Sequence, residues 1–330
     1  MPNSKLIDPY NRHLNYLRVS ITDRCNLKCV YCMPGDQIPK LSHPEILRYE
    51  EILRIVRVGV RLGISKIRIT GGEPLFRRGV YDFLEILGKI DGIQDLSLTT
   101  NGVLLKENIE KIRSAGIKRI NVSLDTLKRE RFMQITGCDF FDQVWEGIET
   151  ARDMGFDPIK LNVVPLKGIN DDELEEIAAL SITHPFHVRF IEYMPVGITP
   201  METGRQLLAH EIKQRIGNLG KLIPIEKKMN DGPAERFRFK GAIGEIGLIR
   251  PISQHFCSTC NRLRLTASGR LRPCLLSDHH EDIKTPLRKG CSDEDLAEIF
   301  LKAVRSKPSE HHLIDNHPNK ISAQMCAIGG

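Results

Sequence analysis

Polar and apolar residues alternate along five short segments in the first half of the chain. The polar members are Arg18 and Ser20, Arg68 and Thr70, Ser97 and Thr99, Asn121 and Ser123, and Lys160 and Asn162. A period of two is typical of β-strands, whose successive side chains point to opposite faces. We therefore predict strands at Leu17–Ile21, Lys66–Thr70, Leu96–Thr99, Arg119–Leu124 and Lys160–Val164, with a sixth at Val188–Glu192.

The segments between these strands have apolar residues at helical spacing. They predict helices from Ser42 or His43 to Leu62 and at about Val80–Ile90, Leu105–Ala115, Asp142–Met154, Asp171–Leu180 and His210–Ile216. Strands that alternate with crossover helices favour a parallel sheet. Six strands are fewer than the eight of a closed barrel, so we predict an α/β fold with a partial, open (βα)6 TIM-like barrel. A doubly wound sheet is the alternative.

The polar face of the predicted strands is unusual, because parallel strands are normally covered on both faces and nearly continuously apolar. It indicates a polar cavity inside the barrel, with the helices packed outside. An antiparallel sheet with one face in water is the alternative, which the intervening helices disfavour. Arg18, Arg68 and Lys160 share this face, and an anionic ligand with phosphate groups is their natural partner. Separate surface salt bridges are the alternative for each cation.

The loops after the predicted strands are rich in glycine and polar residues. Gly71-Gly72-Glu73-Pro74 follows the second strand, and Thr99-Thr100-Asn101-Gly102 ends the third. In a barrel both lie at the C-terminal mouth, where functional residues accumulate. We expect Gly71 and Gly72 to give backbone amides close access to a polar ligand.

From about Lys221 the pattern changes to short strands without intervening helices. We therefore divide the chain into a core barrel, residues 1–225, and a C-terminal β-rich and helical extension, residues 226–330. Within the extension, Asn261–Thr266 and Arg270–Arg272 predict a hairpin.

Composition and charge narrow the classes of function. The chain has 330 residues, a net charge of +6 and nine cysteines. It has no apolar run long enough to cross a membrane and no apolar segment typical of a secretory signal. The charge is too small to indicate nucleic-acid binding. Clustered thiols without such a signal predict a reducing, cytoplasmic location and metal chemistry rather than disulfides.

Six of the cysteines form two sets of three. The first set is Cys25, Cys29 and Cys32, spaced C-x3-C-x2-C, and the second set is Cys257, Cys260 and Cys274. Three thiolates can hold a metal or an iron–sulfur cluster, but they are one short of a closed site and leave one position open. Zinc with His255, His279 or His280 is the alternative at the second set. The isolated cysteines, Cys138, Cys291 and Cys326, are predicted to be ordinary small residues.

The spacing of the first set, with Tyr31 before its last cysteine, resembles the signature of radical S-adenosylmethionine (SAM) enzymes. GGEP resembles that superfamily's motif for the methionine end of SAM. The match becomes closer with IRITGGEPLFRRG, LTTNG, INVSLD, KGIND, FIEYMP, FCSTCNRLRLTASGRLRPCL and the final Gly-Gly. From about Leu17 to Gly330 the chain resembles the GTP 3′,8-cyclase family, which catalyses the first step of molybdenum cofactor biosynthesis.

The resemblance implies a lyase that uses SAM and two [4Fe–4S] clusters. The first set would hold a cluster whose open iron binds SAM, and reductive cleavage of SAM would give a 5′-deoxyadenosyl radical. This radical would take hydrogen from ribose C3′ of GTP, and attack on guanine C8 would give 3′,8-cyclo-7,8-dihydro-GTP. The second set would hold a cluster whose open iron binds the guanine.

The resemblance also assigns residues to roles. It implies SAM contacts from Tyr31, Gly72, Ser123 and Met194. It implies GTP contacts from Arg18, Arg68, Thr99, Lys160, Arg262, Leu263 and Arg264. The Gly-Gly tail reaches into the active site in this family, so the residues expected to be catalytic are Arg264, Gly329 and Gly330.

The partners implied are GTP, SAM, an electron donor of flavodoxin or ferredoxin type, and the next enzyme of the pathway, cyclic pyranopterin monophosphate synthase. A homodimer is also expected. One alternative is another radical SAM enzyme with an auxiliary cluster, for example a peptide-modifying one. A second is a zinc or iron–sulfur binding protein without radical chemistry, which leaves the converging cations unexplained.

Overall fold

Short strands with one apolar face, and helices with one apolar side, pack around a single sheet. The computed structural model describes residues 6–32, 40–197, 203–226, 232–311 and 321–329. The strands are β1 Tyr16–Ser20, β2 Lys66–Thr70, β3 Asp95–Thr100, β4 Arg119–Ser123, β5 Ile159–Val163, β6 Phe186–Ile191, β7 Leu222–Pro224, β8 Glu235–Phe239, β9 Glu245–Ile249, β10 Arg262–Leu265, β11 Arg270–Arg272 and β12 Glu281–Asp282. The helices are α1 Tyr49–Arg61, α2 Val80–Gly88, α3 Leu105–Ser114, α4 Arg129–Thr136, α5 Phe141–Asp153, α6 Leu174–Thr183, α7 Ala209–Ile216, α8 Lys284–Arg288, α9 Asp293–Arg305 and α10 Met325–Ile328.

The sheet has the strand order β12-β11-β10-β1-β2-β3-β4-β5-β6-β9-β8-β7. Strands β1 to β6 pair in sequence and in parallel, which confirms the predicted barrel fold. The extension adds one parallel strand at each side, β10 next to β1 and β9 next to β6. The hairpin of β10 and β11 is antiparallel, as predicted. The extension thus continues the barrel sheet at both edges. The sheet marks no boundary between the two parts, so the division at residues 225 and 226 stays a prediction.

The two faces of the strands have the predicted environments. Val19, Ile69 and Leu161 are fully buried in the hydrophobic core. Burial of each such side chain contributes on the order of 1.5–3 kcal/mol. The opposite face is also largely buried, yet it carries polar residues such as Arg18 and Asn121. The strands therefore enclose a polar interior, as the alternation predicts.

Two helix predictions differ from the structure. The predicted helix at Ser42 is a short 3-10 turn, His43–Glu45, and α1 begins only at Tyr49. The carboxylate of Glu51 accepts a hydrogen bond from the Arg48 backbone amide at 2.6 Å, so a new helix start is capped there. Helix α4, Arg129–Thr136, was not predicted.

None of the helices in the described ranges combines the length and the apolar composition that a membrane crossing requires.

Candidate active site

A cavity of about 990 Å³ occupies the interior of the barrel. Both cysteine sets line it: Cys25, Cys29 and Cys32 from the loop after β1, and Cys257, Cys260 and Cys274 from the extension. The two sets are far apart in sequence, and the pairing of β10 with β1 brings their chain segments together. The cavity is therefore bordered by two groups of three thiols.

Most of the residues assigned to ligands also line this cavity. They are Arg18, Tyr31, Arg68, Gly72, Thr99, Ser123, Lys160, Met194, Arg262 and Arg264. Leu263 does not, because its side chain points the other way and lies fully buried in the hydrophobic core. A GTP contact from Leu263 would therefore have to come from its backbone, and this assignment stays a prediction. Gly330 lies outside the described residues.

The first cysteine set is held by hydrogen bonds from the neighbouring loops. The Cys25 thiol accepts from the Leu27 amide at 3.4 Å and from the side chain of Asn101 at 3.7 Å. Buried Glu73 accepts from the Asn101 amide at 2.6 Å and from the Thr100 hydroxyl at 2.8 Å. Burial raises the pKa of Glu73 to about 7. Glu73 thus joins the GGEP loop to the loop that supports Cys25.

The two glycines of the GGEP loop serve close packing of the backbone. A Cβ on Gly72 would lie 2.4 Å from the Arg24 carbonyl oxygen, and a Cβ on Gly71 would lie 2.6 Å from that of Thr22. The Gly72 amide donates to the Thr22 carbonyl at 2.7 Å. The expectation that this amide faces a ligand is therefore wrong. Gly72 still lines the cavity, and its SAM contact stays a prediction.

Asp125, which was not predicted as a site residue, holds Tyr31. The Tyr31 hydroxyl donates to one carboxylate oxygen of Asp125 at 2.5 Å, and the Val164 amide donates to the other at 2.8 Å. Burial raises the pKa of Asp125 to about 6. The side chain of Asn170 donates to the Asp125 carbonyl at 2.8 Å and fixes this loop. The motifs INVSLD and KGIND contain Asp125 and Asn170 and were the available signal.

The cations of the polar face form a larger group than the sequence indicated. Besides Arg18, Arg68 and Lys160, the cavity is lined by Arg119, Arg189 and Arg236. In the part of the chain that the structure describes, neither Lys160 nor Arg189 has a carboxylate at ion-pair distance. Burial, together with the charges of Arg189 and Arg119, lowers the pKa of Lys160 to about 6. The signal for Arg189 was present, since it alternates with Val188 and Phe190 in β6.

The second cysteine set lies among cations. Burial raises the pKa of the Cys260 thiol, but Arg262 and Lys307 more than offset this and lower it to about 6. Each histidine of the zinc alternative has another neighbour. His255 lies 3.2 Å from Glu310, His279 lies 3.3 Å from Glu281, and His280 contacts the Asp278 carbonyl at 2.8 Å. His279 and His280 do not line the cavity.

The thiol groups of each cysteine set fit an iron–sulfur cluster. No three or more His, Cys, Asp or Glu side chains among the described residues are arranged to hold one metal ion. A four-iron cluster is larger and is held by thiolates on different irons. At each set three thiols line the cavity; they would suit that cluster and would leave one of its irons without a protein thiolate.

The C-terminal segment reaches the cavity. Its Gly329 carbonyl accepts a hydrogen bond from the Arg264 guanidinium at 2.8 Å. A Cβ on Gly329 would lie 2.5 Å from the Thr70 side chain, and its φ of 73° also favours glycine. Ile321 and Ile328 pack on Val196. Cys326 is buried and lines the cavity. Its prediction as an ordinary small residue gave no indication of this position.

Comparison with known proteins shows which families and folds this chain is similar to. The family model described as Radical SAM superfamily matches residues 19–181, and that described as Molybdenum Cofactor Synthesis C matches residues 186–313. The crystal structure of Streptococcus suis SuiB bound to S-adenosylmethionine has a TM-score of 0.64 at 16% identity, and the match covers 90% of this chain and 69% of that chain. At this identity the match shows a shared fold alone.

Similarity to curated sequences extends over nearly the full chain. A GTP 3′,8-cyclase from Thermodesulfovibrio yellowstonii is 52% identical over 328 residues, covering 98% of this chain and 99% of the relative. One from Moorella thermoacetica is 49% identical over 323 residues, with the same shares covered. The chain therefore belongs to the GTP 3′,8-cyclase family of the radical SAM superfamily.

Proposed function

We propose that this chain converts GTP to (8S)-3′,8-cyclo-7,8-dihydroguanosine 5′-triphosphate with SAM, the first step of molybdenum cofactor biosynthesis. One observation carries the proposal: two sets of three thiols and a group of buried cations line the same cavity. When bound, the iron–sulfur clusters supply the electron for SAM cleavage at the first set and an open iron for the guanine at the second. The residues bind, orient and shield the reactants.

The SAM end of the cavity is built around the first cysteine set. Tyr31 is held in place by Asp125, so its backbone can present a fixed edge to the cofactor. Ser123 and Met194 also line the cavity and complete the proposed SAM contacts. Glu73 keeps the GGEP loop and the Asn101 loop together, so the cofactor meets a preformed surface.

The GTP end is built around the cations. Arg18, Arg68 and Lys160 provide guanidinium and ammonium donors for the triphosphate, and a polyanion removes the cost of burying them together. Among the described residues, the buried hydroxyl oxygen of Thr99 has no hydrogen-bond partner, which suits a ligand contact. Arg262 and Arg264 lie on β10 near the second cysteine set and are proposed to bind the nucleotide there.

The C-terminal segment closes the site in this proposal. Arg264 is held by the Gly329 carbonyl, so the tail fixes a guanidinium that faces the substrate. The packing of Ile328 against Val196 excludes water from this side. Loss of water protects a reactive carbon radical from side reactions.

The proposal extends to partners and location. An electron donor of flavodoxin or ferredoxin type, transfer of product to cyclic pyranopterin monophosphate synthase, a homodimer and a cytoplasmic location are all consistent with the reaction. A peptide-modifying radical SAM enzyme is the alternative. It is not favoured, because relatives covering 98% of the chain are GTP 3′,8-cyclases.

The proposal is tested by anaerobic purification and reconstitution with iron and sulfide. We expect about eight irons per chain, as two four-iron clusters require. Dithionite, SAM and GTP deuterated at C3′ should then yield 5′-deoxyadenosine that contains deuterium, together with the cyclised nucleotide. SAM cleavage that is indifferent to GTP would overturn the substrate, and four irons plus one zinc would overturn the second cluster.

A further inference from the structure

Lys307 lies just after the C-terminal end of α9 and is buried. Its ammonium donates hydrogen bonds to the Arg262 carbonyl at 2.9 Å and to the Pro273 carbonyl at 2.6 Å. Arg262 is two positions after Cys260, and Pro273 directly precedes Cys274. One buried cation therefore joins the two chain segments that carry these cysteines.

Among the residues that the structure describes, no carboxylate balances the charge of Lys307. Within the described ranges, no Asp or Glu lies at ion-pair distance from its ammonium, and the carbonyls it binds carry no net charge. Arg262 and Arg264 add further positive charge nearby. Burying an uncompensated cation is costly, so an anionic partner is expected. Lys307 interacts electrostatically with the thiols of Cys257 and Cys260, and as thiolate ligands of a cluster these would be that partner.

Arg12 makes similar contacts in the same region but brings no net charge. It is buried and donates to the carbonyls of Cys257 at 2.8 Å and Pro308 at 2.6 Å. Its guanidinium also lies 2.5 Å from a buried carboxylate oxygen of Asp8. Arg12 and Asp8 together anchor the chain around Cys257 as a neutral pair. They provide a matched comparison for the charged anchor.

We propose that Lys307 is the counter-charge of the second iron–sulfur centre, that it raises the reduction potential of this centre, and that it positions the segments of Cys260 and Cys274. The inference rests on the proposed function, which places a cluster at this set. A cluster held by three thiolates becomes more negative by one charge when it is reduced. A fixed cation beside it stabilises the reduced form more than the oxidised form, which raises the potential.

The experiment isolates the second centre by replacing the first set, with Cys25→Ser, Cys29→Ser and Cys32→Ser in one parent protein. Iron and sulfide are quantified after anaerobic reconstitution, and the midpoint potential is measured by redox titration followed by electron paramagnetic resonance. Lys307→Met in this parent should lower the midpoint potential. Lys307→Arg keeps the charge and should remain close to the parent.

The double variant Asp8→Asn, Arg12→Gln is the matched control. It removes contacts to the Cys257 segment without a change in net charge, so its midpoint potential should equal that of the parent. A merely structural role for Lys307 would make Lys307→Met behave like this control. A Lys307→Met protein that retains its iron and titrates at the parent potential therefore overturns the proposal.

If Lys307→Met loses the cluster, a second variant still tests the proposal. Lys307→Gln keeps a hydrogen-bond donor without charge and should also lower the potential, and an unchanged potential overturns the proposal. If both neutral variants lose iron while Lys307→Arg retains it, the need for charge is supported; loss in Lys307→Arg as well overturns it. Zinc instead of iron in the parent would contradict the proposed second cluster, a failure distinct from an unshifted potential.

Discussion

The two cysteine sets have the same number of thiols, but the charges around them have opposite sign. Burial raises the pKa of Cys25 to about 11, and Glu73 adds to this. Burial, neighbouring thiols and Asp125 raise the pKa of Cys29 as well. At the second set, Arg262 and Lys307 overcome burial and lower the pKa of Cys260 to about 6. The first set therefore lies in acidic surroundings and the second in basic ones.

This difference matches the two tasks proposed for one cavity. Acidic surroundings disfavour added negative charge, so a cluster at the first set should have a low reduction potential and be a strong reductant. Reductive cleavage of SAM requires that property. Basic surroundings favour negative charge, which suits a centre that holds an anionic nucleotide in place. The charges on the surrounding loops, more than the cysteines, distinguish the two centres.

The largest effect is expected when one thiol is removed from each set, because this separates the roles of the two sets. Cys29→Ala should abolish SAM cleavage altogether, because the first cluster loses a ligand. Cys260→Ala should reduce GTP cyclisation at least a hundredfold while uncoupled SAM cleavage continues. Both are measured by chromatography of 5′-deoxyadenosine and the cyclised nucleotide. Full SAM cleavage in Cys29→Ala would contradict the assignment of the first set.

Arg264→Ala should lower GTP turnover by about one hundredfold. It removes charge-assisted hydrogen bonds, each worth roughly 1.5–3 kcal/mol, and releases the Gly329 carbonyl. The first cluster lies on the acidic side and should keep its iron and its uncoupled SAM cleavage. Iron analysis and single-turnover assays test this, and loss of iron from the first set would contradict the role given to Arg264.

Lys160→Met should weaken GTP binding by roughly tenfold to a hundredfold, which corresponds to the loss of one charged hydrogen bond. The pKa of Lys160 is about 6 without ligand, and a polyanion raises it. GTP binding near pH 7.5 should therefore take up a proton, and its affinity should fall as pH rises above 6. Calorimetry in buffers of different ionisation enthalpy measures this uptake. Equal uptake in Lys160→Met would refute it.

Lys160→Met is also predicted to change the thermal stability of the protein in the absence of ligand. The folded pKa of Lys160 lies below its unfolded value, so folding disfavours the proton. The cost is largest at and below about pH 6 and fades as pH rises toward the ordinary lysine range. Lys160→Met should therefore melt at a higher temperature than the parent at pH 7, with a smaller difference at pH 9. Calorimetric melting curves provide the check.

The smallest effect sharpens the comparison at the acidic side. Asp125→Asn removes a negative charge beside the first set but keeps a partner for the Tyr31 hydroxyl. The midpoint potential of the first cluster should rise slightly, and SAM cleavage should slow by a few fold. A redox titration in a Cys257→Ser, Cys260→Ser, Cys274→Ser background isolates the signal. A lower potential would argue against acidic surroundings as the cause of the difference.

The sequence predicted the barrel and much of the cavity because alternation reports the direction of each side chain. Arg18, Arg68 and Lys160 were placed correctly by this rule. Arg189 obeys the same rule but was overlooked, although Val188–Glu192 was predicted as a strand. The joining of β9 and β10 to the barrel could not be predicted, because no α-helix lies directly before either strand.

Other features depend on contacts that no local pattern encodes. Gly72 has the expected position, but its amide is used by the Thr22 carbonyl, which lies in a different loop. Lys307 follows a helix in an ordinary polar stretch, and only the fold brings its ammonium to the segments of Cys260 and Cys274. Leu263 sits within a binding motif, yet the strand period turns its side chain into the core.

The pairing of β10 with β1 has a consequence for folding during synthesis. At the start of this pair, the side chains of Asn15 and Asn261 are joined across 246 residues. At a synthesis rate of about 5–20 residues per second, β10 is synthesised on the order of 10–50 s after β1. During that interval the edge of β1 has unpaired backbone groups, which can pair with other chains. The pairing of β10 with β1, which completes the nucleotide site, is thus also a late step of folding that is sensitive to aggregation.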